Sequence, residues 1–189
     1  MRLRIKTSDD WIHVVMSDFD RFLIDHALCE RKASALAMSL VAHYPDKNEL
    51  VTEMVALAIE ELEHFQQVFS LIKERNLTLT GEEKDEYVNR LRGFIRKPTE
   101  QYFLDRLLIA SLIEARGTER FEIVAKALSD ERLREFYFEF WRAEARHHGL
   151  FLRLARKYFS VLEVEDRYDY LLDQEAKIVA SLPLRPAMH

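Results

Sequence analysis

The chain has 189 residues and a net charge of −5, and it contains only four glycines, four prolines and one cysteine. So few turn-forming residues exclude all-β sandwiches and barrels, which need a turn about every 8–12 residues, and they favour an all-α fold. The lone Cys29 excludes a disulfide framework, a four-cysteine zinc site and a thiolate-held iron–sulfur cluster. It fits a reducing cytoplasm, and no segment is apolar enough to predict a membrane span.

Apolar residues at helical spacing predict a short first helix, four long helices and a shorter final one. The central stretch is the least helical part, although EEKDEYVNRLRGF within it is compatible with a short helix. Asp46 with Glu49 resembles a capping box, Pro98 suits a first helical turn, and Ser129 is expected to cap the fourth long helix. The predicted ranges are 8–16, 18–43, 46–75, 98–128, 129–158 and 163–181, with the connection at 76–97.

Four long helices with a long central connection and short outer ones predict a ferritin-like four-helix bundle with a mid-chain crossover and short additional helices. We expect residues 1–189 to form a single domain, since no linker or low-complexity run divides them.

The apolar seams of these helices carry unexpected polar residues near their middles. Two helices each place a Glu and a His three residues apart on the seam, and the other two each place a single Glu there. The six seam residues are Glu30, Glu61, His64, Glu114, Glu144 and His147.

Burying unpaired carboxylates in an apolar bundle costs several kcal/mol each, and a pair of cations at the centre removes that cost. Residues i and i+3 lie on one helix face, so a Glu and a His at that spacing reach the same metal centre. Four carboxylates and two imidazoles form the ligand set of a di-iron or di-manganese site. The alternative is that these residues form ordinary salt bridges at the seam edges.

Several neighbouring residues have competing interpretations. His26, one turn before Glu30, is expected to be an ordinary interface histidine, with a position covering one end of the site as the alternative. His148 is expected at a helix interface or on the surface. Gly117 and Gly149 lie inside helices close to predicted ligands, where glycine is unfavourable. We expect both glycines to mark where the helices surround the metal site, and close helix packing is the alternative for Gly117.

Two basic clusters stand out for nucleic-acid binding, and a solvated charged surface is the alternative for both. The cluster in the central connection is preferred as the phosphate contact. It consists of Arg90, Arg92, Arg96 and Lys97, and the other cluster consists of Arg142, Arg146, Arg153, Arg156 and Lys157.

The residues around the six candidate ligands resemble those of the MiaE-type tRNA hydroxylases over nearly the whole chain. The strings that carry the resemblance are DHALCERKA at 25–33, EELEHF at 60–65, IEARGTERF at 113–121 and AEARHHGLF at 143–151. Members of this family hydroxylate the isopentenyl group of 2-methylthio-isopentenyladenosine, next to the tRNA anticodon.

The resemblance implies an O2-dependent monooxygenase with two carboxylate-bridged iron ions on the six residues. It also implies a tRNA anticodon stem-loop as substrate. No flavin or iron–sulfur motif is present, so an external electron donor such as a ferredoxin or flavodoxin is an expected partner. Glu60 and Ala143 precede the two Glu-x-x-His pairs, where the larger bacterial multicomponent monooxygenases have Asp. The alternative function is a ferritin-like ferroxidase or peroxidase that handles iron or peroxide.

Overall fold

The computed structural model describes residues 3–81 and 83–189, and within them all regular secondary structure is helical. The helices found there are α1 (Asp9–Ser17), α2 (Phe19–His43), α3 (Asn48–Glu74), α4 (Glu86–Arg92), α5 (Thr99–Ala127), α6 (Glu131–Tyr158) and α7 (Val161–Ser181). The prediction of an all-α chain with a short helix in the central connection is confirmed.

The helix caps differ in detail from those predicted. Asp46 does not cap α3: the Lys47 amide donates to the Tyr44 carbonyl and closes a tight turn, so Lys47 occupies the N-cap without a side-chain cap bond. The Asp130 side chain, not that of Ser129, caps α6 by accepting from the Leu133 amide.

The chain divides into two compact units, and residues Val14–Lys84 with Arg185–Met188 form one of them. In this unit α2 packs against α3, and the Ser34 hydroxyl donates to the Ala58 carbonyl at 2.8 Å. At the end of α3, Asn76 adopts a left-handed φ of 57°, and the Leu77 amide returns to the Ile72 carbonyl. This is the bonding of a Schellman motif, which ends the helix.

The same unit includes a segment that is distant in sequence. The Met188 amide donates to Asp25 Oδ2 at 2.7 Å, and Arg185 Nη1 lies 3.8 Å from Glu83 Oε2. Met188 is buried. The segment 185–188 therefore packs on α2 and on the chain that follows α3.

The second unit consists of Met1–His13, Asp85–Leu184 and His189. Its central element is α5, which packs against α6, α7 and α4 and is buried over most of its length. Because α5 is surrounded, several polar residues on it are paired with polar groups of its neighbours, among them Asp105, Ser111 and Arg116. The prediction of one domain over 1–189 stays a prediction.

Polar pairs hold α7 along α5. Asp105 accepts from the guanidinium of Arg167, and further along both helices the Arg116 guanidinium pairs with Glu175 at 2.8 Å. Both contacts run in the same order along the two helices, so α5 and α7 are parallel. Arg116 and Glu175 are both fully buried.

Membrane insertion is a separate question of helix length and polarity. None of the helices formed by residues 3–81 and 83–189 is both long and apolar enough to cross a membrane.

Candidate metal centre

The α2–α3 unit brings three of the predicted ligands together. One ligand atom from each of Glu30, Glu61 and His64 lies within 4.8 Å of the others. His64 Nδ1 is 3.4 Å from Glu30 Oε2 and 3.4 Å from Glu61 Oε2. All three side chains are buried, and Glu61 is only 1% exposed. We call these residues the first triad.

The charges of the first triad are strongly coupled. Burial by itself lowers the pKa of His64, but the adjacent carboxylates of Glu30 and Glu61 outweigh burial and raise that pKa to about 10. The imidazole is therefore a cation at neutral pH when only protein groups surround it. Metal binding at this position has to displace that proton, because an imidazole ligates as the neutral base.

The α5–α6 unit contains the other three predicted ligands in the same chemical combination. One atom from each of Glu114, Glu144 and His147 lies within 4.8 Å of the others, and His147 Nδ1 is 3.3 Å from Glu144 Oε2. All three are buried. We call these residues the second triad.

Each triad fits a metal ion by the chemistry of its donors. Carboxylate oxygens and imidazole nitrogens bind transition metals at bond lengths of about 2.0–2.2 Å, which brings ligand atoms on one ion within roughly 4 Å of each other. Ligand atoms that lie within 4.8 Å of one another need to move only slightly closer together to bind one ion. Two buried carboxylates beside one imidazole also leave an excess of negative charge that a cation compensates.

His26 lies beside a candidate ligand, as the less favoured of its two interpretations expected. This residue is fully buried on α2, and its Nε2 lies 2.9 Å from Glu30 Oε1. The other carboxylate oxygen of Glu30 lies beside His64, so the Glu30 carboxylate is placed between the two imidazoles. The signal in the sequence was the i, i+4 spacing, which places His26 and Glu30 on one face of α2.

His148 lies at a helix interface, which was one of the two positions expected for it. Its Nδ1 is 2.8 Å from the Ser111 hydroxyl on α5, and burial lowers the pKa of His148. The residue therefore contacts α5 on a different face from the adjacent His147.

Gly149 does not lie where it was expected. It is exposed on α6, and a Cβ at this position would meet nothing within 4 Å. The expectation that it marks the metal site is wrong, because two residues along a helix turn the side chain about 200° away from His147. Gly117, by contrast, is buried on α5.

The preferred basic cluster divides in the structure. Arg96 uses its backbone amide and its guanidinium to donate to Asp105, which gives it a structural role in fixing the start of α5. Arg90, Arg92 and Lys97 are exposed, and Arg90 Nη1 donates to the Ser181 hydroxyl.

The family of the chain follows from comparison with known proteins. Residues 1–189 match the family described as tRNA-(MS[2]IO[6]A)-hydroxylase (MiaE). The chain belongs to this MiaE family. A relative from Pseudomonas putida, named tRNA 2-(methylsulfanyl)-N(6)-isopentenyladenosine(37) hydroxylase, is 35% identical over 175 residues, which is 93% of this chain and 85% of that protein.

Two further relatives extend the comparison. A protein of the same name from Salmonella typhimurium is 34% identical over 137 residues, covering 72% of this chain and 50% of that protein. A solved structure from Synechococcus, "Protein 43 with aldehyde deformylating oxygenase activity", matches with a TM-score of 0.95 and 36% identity over 100% of this chain and 96% of that one. The ferritin-like, all-helical fold class predicted for this MiaE-family chain is confirmed.

Proposed function

We propose that this protein hydroxylates the isopentenyl group of 2-methylthio-N6-isopentenyladenosine in tRNA, next to the anticodon. The observation that carries the proposal is the match of the whole chain to the MiaE hydroxylase family. The proposed reaction consumes one O2, two electrons and two protons, and it yields the hydroxylated nucleoside and one water. Because tRNA is the proposed substrate, the proposed site of action is the cytoplasm.

The two triads are the proposed ligands of a carboxylate-bridged pair of iron ions. The support is that each triad contributes two carboxylates and one imidazole, all buried, which together make the ligand set of di-iron carboxylate proteins. When bound, the irons supply the activation of O2 that C–H hydroxylation requires. The six residues are Glu30, Glu61, His64, Glu114, Glu144 and His147.

The protein's own side chains position and shield this chemistry. His26 holds one oxygen of Glu30 and so orients the carboxylate toward His64. Buried apolar residues stand on the seams one turn from the ligands, among them Leu57, Val68, Phe140 and Phe151. They keep water from the ligands, which strengthens the electrostatic interactions inside and protects reactive species from side reactions.

The electrons have to come from another protein. A single cysteine cannot hold an iron–sulfur cluster, so a ferredoxin- or flavodoxin-type donor is the proposed redox partner. For the RNA partner, the exposed Arg90, Arg92 and Lys97 remain proposed phosphate contacts, while Arg96 is committed to Asp105. The target base has to leave the anticodon-loop stack to reach buried ligands, as in other base-modifying enzymes.

The test is hydroxylation of a defined substrate. Purified protein loaded with Fe(II), reduced with dithionite and exposed to O2 is incubated with an anticodon stem-loop carrying the prenylated base. We expect mass spectrometry of the digested RNA to show a gain of one oxygen atom in the modified nucleoside. Iron oxidation without such a product would favour the ferroxidase alternative instead.

A second candidate function is favoured by the Synechococcus structure, whose name records aldehyde deformylating oxygenase activity. Its 36% identity over the whole of this chain makes an aldehyde the rival substrate class. The same reduced protein is therefore offered a long-chain aldehyde, and formate and the shortened hydrocarbon are measured. Hydroxylated nucleoside without formate supports the tRNA reaction.

A further inference from the structure

The outer face of α6 carries a row of cations on the side opposite the second triad. Arg142, Arg146, Arg153, Arg156 and Lys157 are exposed, and their spacing of three and four residues places them on one face of the helix. With Gly149 in their midst they span 16 residues, and the 15 steps of about 1.5 Å between the first and the last make about 22 Å. We call these six residues the α6 stripe.

The charge of this face changes sign at Arg142. The exposed Glu131, Glu135 and Glu139 occupy the same face at the start of α6. Beyond the buried Glu144, the helix contains no further acidic residue up to its end at Tyr158. A protein of net charge −5 therefore presents a localised positive surface over the last four turns of this helix.

Arg156 of the α6 stripe is less tightly paired than two surface arginines elsewhere. Arg156 Nη2 lies 3.9 Å from Glu165 Oε1, whereas Arg21 and Arg75 hold carboxylates at 2.8 and 2.6 Å. The Arg156 side chain can therefore turn toward an anionic partner without breaking a close ion pair.

Gly149 interrupts the α6 stripe at its centre. Glycine is unfavourable inside a helix, and neither packing nor backbone conformation requires it here. A Cβ would meet open space, and no described glycine has a positive φ. What glycine does provide at this position is a bare stretch of helix surface between Arg146 and Arg153, where a polyanion can approach the backbone closely.

We propose that the α6 stripe binds the phosphate backbone of the tRNA anticodon stem, with Gly149 as the point of closest approach. The inference rests on the proposed function, which makes RNA the substrate. Charge complementarity selects the partner, since arginines spaced along 22 Å match successive phosphates. RNA held here lies across one helix, about 10 Å wide, from Glu144 and His147, so a flipped nucleotide has a short distance to cover.

The test removes the charge of the α6 stripe with the quadruple variant Arg142→Gln, Arg146→Gln, Arg153→Gln, Arg156→Gln. Binding of the anticodon stem-loop is measured by fluorescence anisotropy at several salt concentrations. We expect affinity to fall by about tenfold or more at low salt, and the slope of log K against log salt to decrease by about three. The matched control, Arg31→Gln, Lys73→Gln, Lys84→Gln, Lys126→Gln, removes four exposed cations that lie outside both basic clusters. We expect it to have the smaller effect.

Iron content and thermal stability verify that the quadruple variant is folded. Hydroxylation of the free modified nucleoside, with dithionite as reductant, tests the proposed function without the α6 stripe, because a free nucleoside has no phosphate backbone to bind there. If wild-type protein hydroxylates neither nucleoside nor stem-loop, the proposed function fails. If wild-type protein is active and the quadruple variant binds the stem-loop as tightly as wild type, the α6 stripe is not the RNA site. The quadruple variant could also keep its RNA affinity and hydroxylate at the wild-type rate with dithionite but more slowly with a flavodoxin donor. That result would assign the α6 stripe to the acidic redox partner instead of RNA.

The role of Gly149 is tested by Gly149→Ala and Gly149→Gln. Because the site is open and alanine favours the helix, we expect Gly149→Ala to raise the Tm while RNA affinity falls several-fold. Gly149→Gln should weaken binding further. Unchanged RNA affinity in both variants would remove Gly149 from the interface.

Discussion

Two glutamates two positions apart on α3 show how the fold separates a candidate ligand from a surface charge. Glu61 is 1% exposed within the first triad, whereas Glu63 is exposed. A buried carboxylate is costly unless a cation or hydrogen bonds compensate it, while an exposed carboxylate costs nothing. The pair therefore offers a matched comparison for metal binding.

We expect Glu61→Gln to lower the iron content per chain and to abolish the rise in Tm that Fe(II) produces in the wild-type protein, because a ligand that binds only the folded state stabilises it. Glu63→Gln should keep both properties. Elemental analysis and thermal unfolding with and without Fe(II) measure this. Equal iron binding by both variants would mean that Glu61 is not a ligand.

Asp105 illustrates a buried charge that is fully paired. It has no exposed surface and accepts hydrogen bonds from Arg96 and Arg167. Burial alone raises the pKa of Asp105, but the hydrogen bonds from the two arginines outweigh it and hold that pKa below its ordinary value of 3.8. Because the pKa is lower in the folded state, this pairing stabilises the protein fully above about pH 4 and is lost as the pH falls through the folded-state pKa.

Replacing Asp105 with Asn should lower the free energy of unfolding by about 2–4 kcal/mol at pH 7, since it leaves two arginines without their carboxylate. The difference from wild type should shrink below about pH 4, where the wild-type carboxylate itself becomes protonated. Urea unfolding at pH 7 and at pH 3 measures both values. The exposed neighbour of Arg167, Asp166→Asn, is the control and should change stability little at either pH.

At the scale of elements, α5 is unusual because it is buried on nearly all sides. A buried helix can be held by apolar packing alone, but α5 also forms ion pairs with α7. The Arg116 guanidinium makes two hydrogen bonds to Glu175, and Tyr87 of α4 donates to the same carboxylate at 3.1 Å. These directional contacts fix the register of α7 along α5, which hydrophobic packing specifies less strictly.

Removing one partner of this pair should cost more than removing both. We expect Arg116→Met to destabilise the protein by about 3 kcal/mol, because Glu175 is left buried without its cation, and the double variant Arg116→Met, Glu175→Leu to regain most of that loss. A double-mutant cycle by urea unfolding measures the coupling. Additive effects of the two single variants would contradict a direct interaction.

The helices themselves were predictable, and their ends less so. Long apolar seams place each long helix to within about two residues of its prediction. The cap of α6 was missed because Ser129 and Asp130 are adjacent residues of similar capping preference, and the backbone angles of a single turn decide between them. The cap predicted at Asp46 is wrong because the turn around Pro45 includes Asp46. The helix therefore starts at Asn48.

For the molecule as a whole, the burial and clustering of the six candidate ligands were the most predictable feature, because carboxylates on an apolar seam conflict with their surroundings. The roles of Arg96 and Gly149 were not predictable. Arg96 is fixed by Asp105, which also holds Arg167, 62 residues further along the chain. The role of Gly149 depends on which face of α6 is covered by other helices. Both are decided by tertiary partners, which local periodicity does not encode.

The net charge is a poor guide to partners in this protein. An overall charge of −5 gives no general attraction to RNA, yet the part of α6 from Arg142 to Tyr158 carries five exposed cations and no exposed acid. Surface charges interact over roughly one Debye length, about 8 Å at physiological salt. A local row of arginines therefore acts nearly independently of acidic residues elsewhere on the chain.

The packing of residues 185–188 on α2 also bears on how the protein is made. The unit formed by Val14–Lys84 includes Arg185–Met188, which the ribosome adds about 100 residues after Lys84. At a synthesis rate of about 5–20 residues per second, roughly 5 to 20 seconds pass between the synthesis of Lys84 and that of this last segment. During that interval Asp25 lacks the Met188 amide, and the surface that Met188 covers is exposed to solvent and to chaperones.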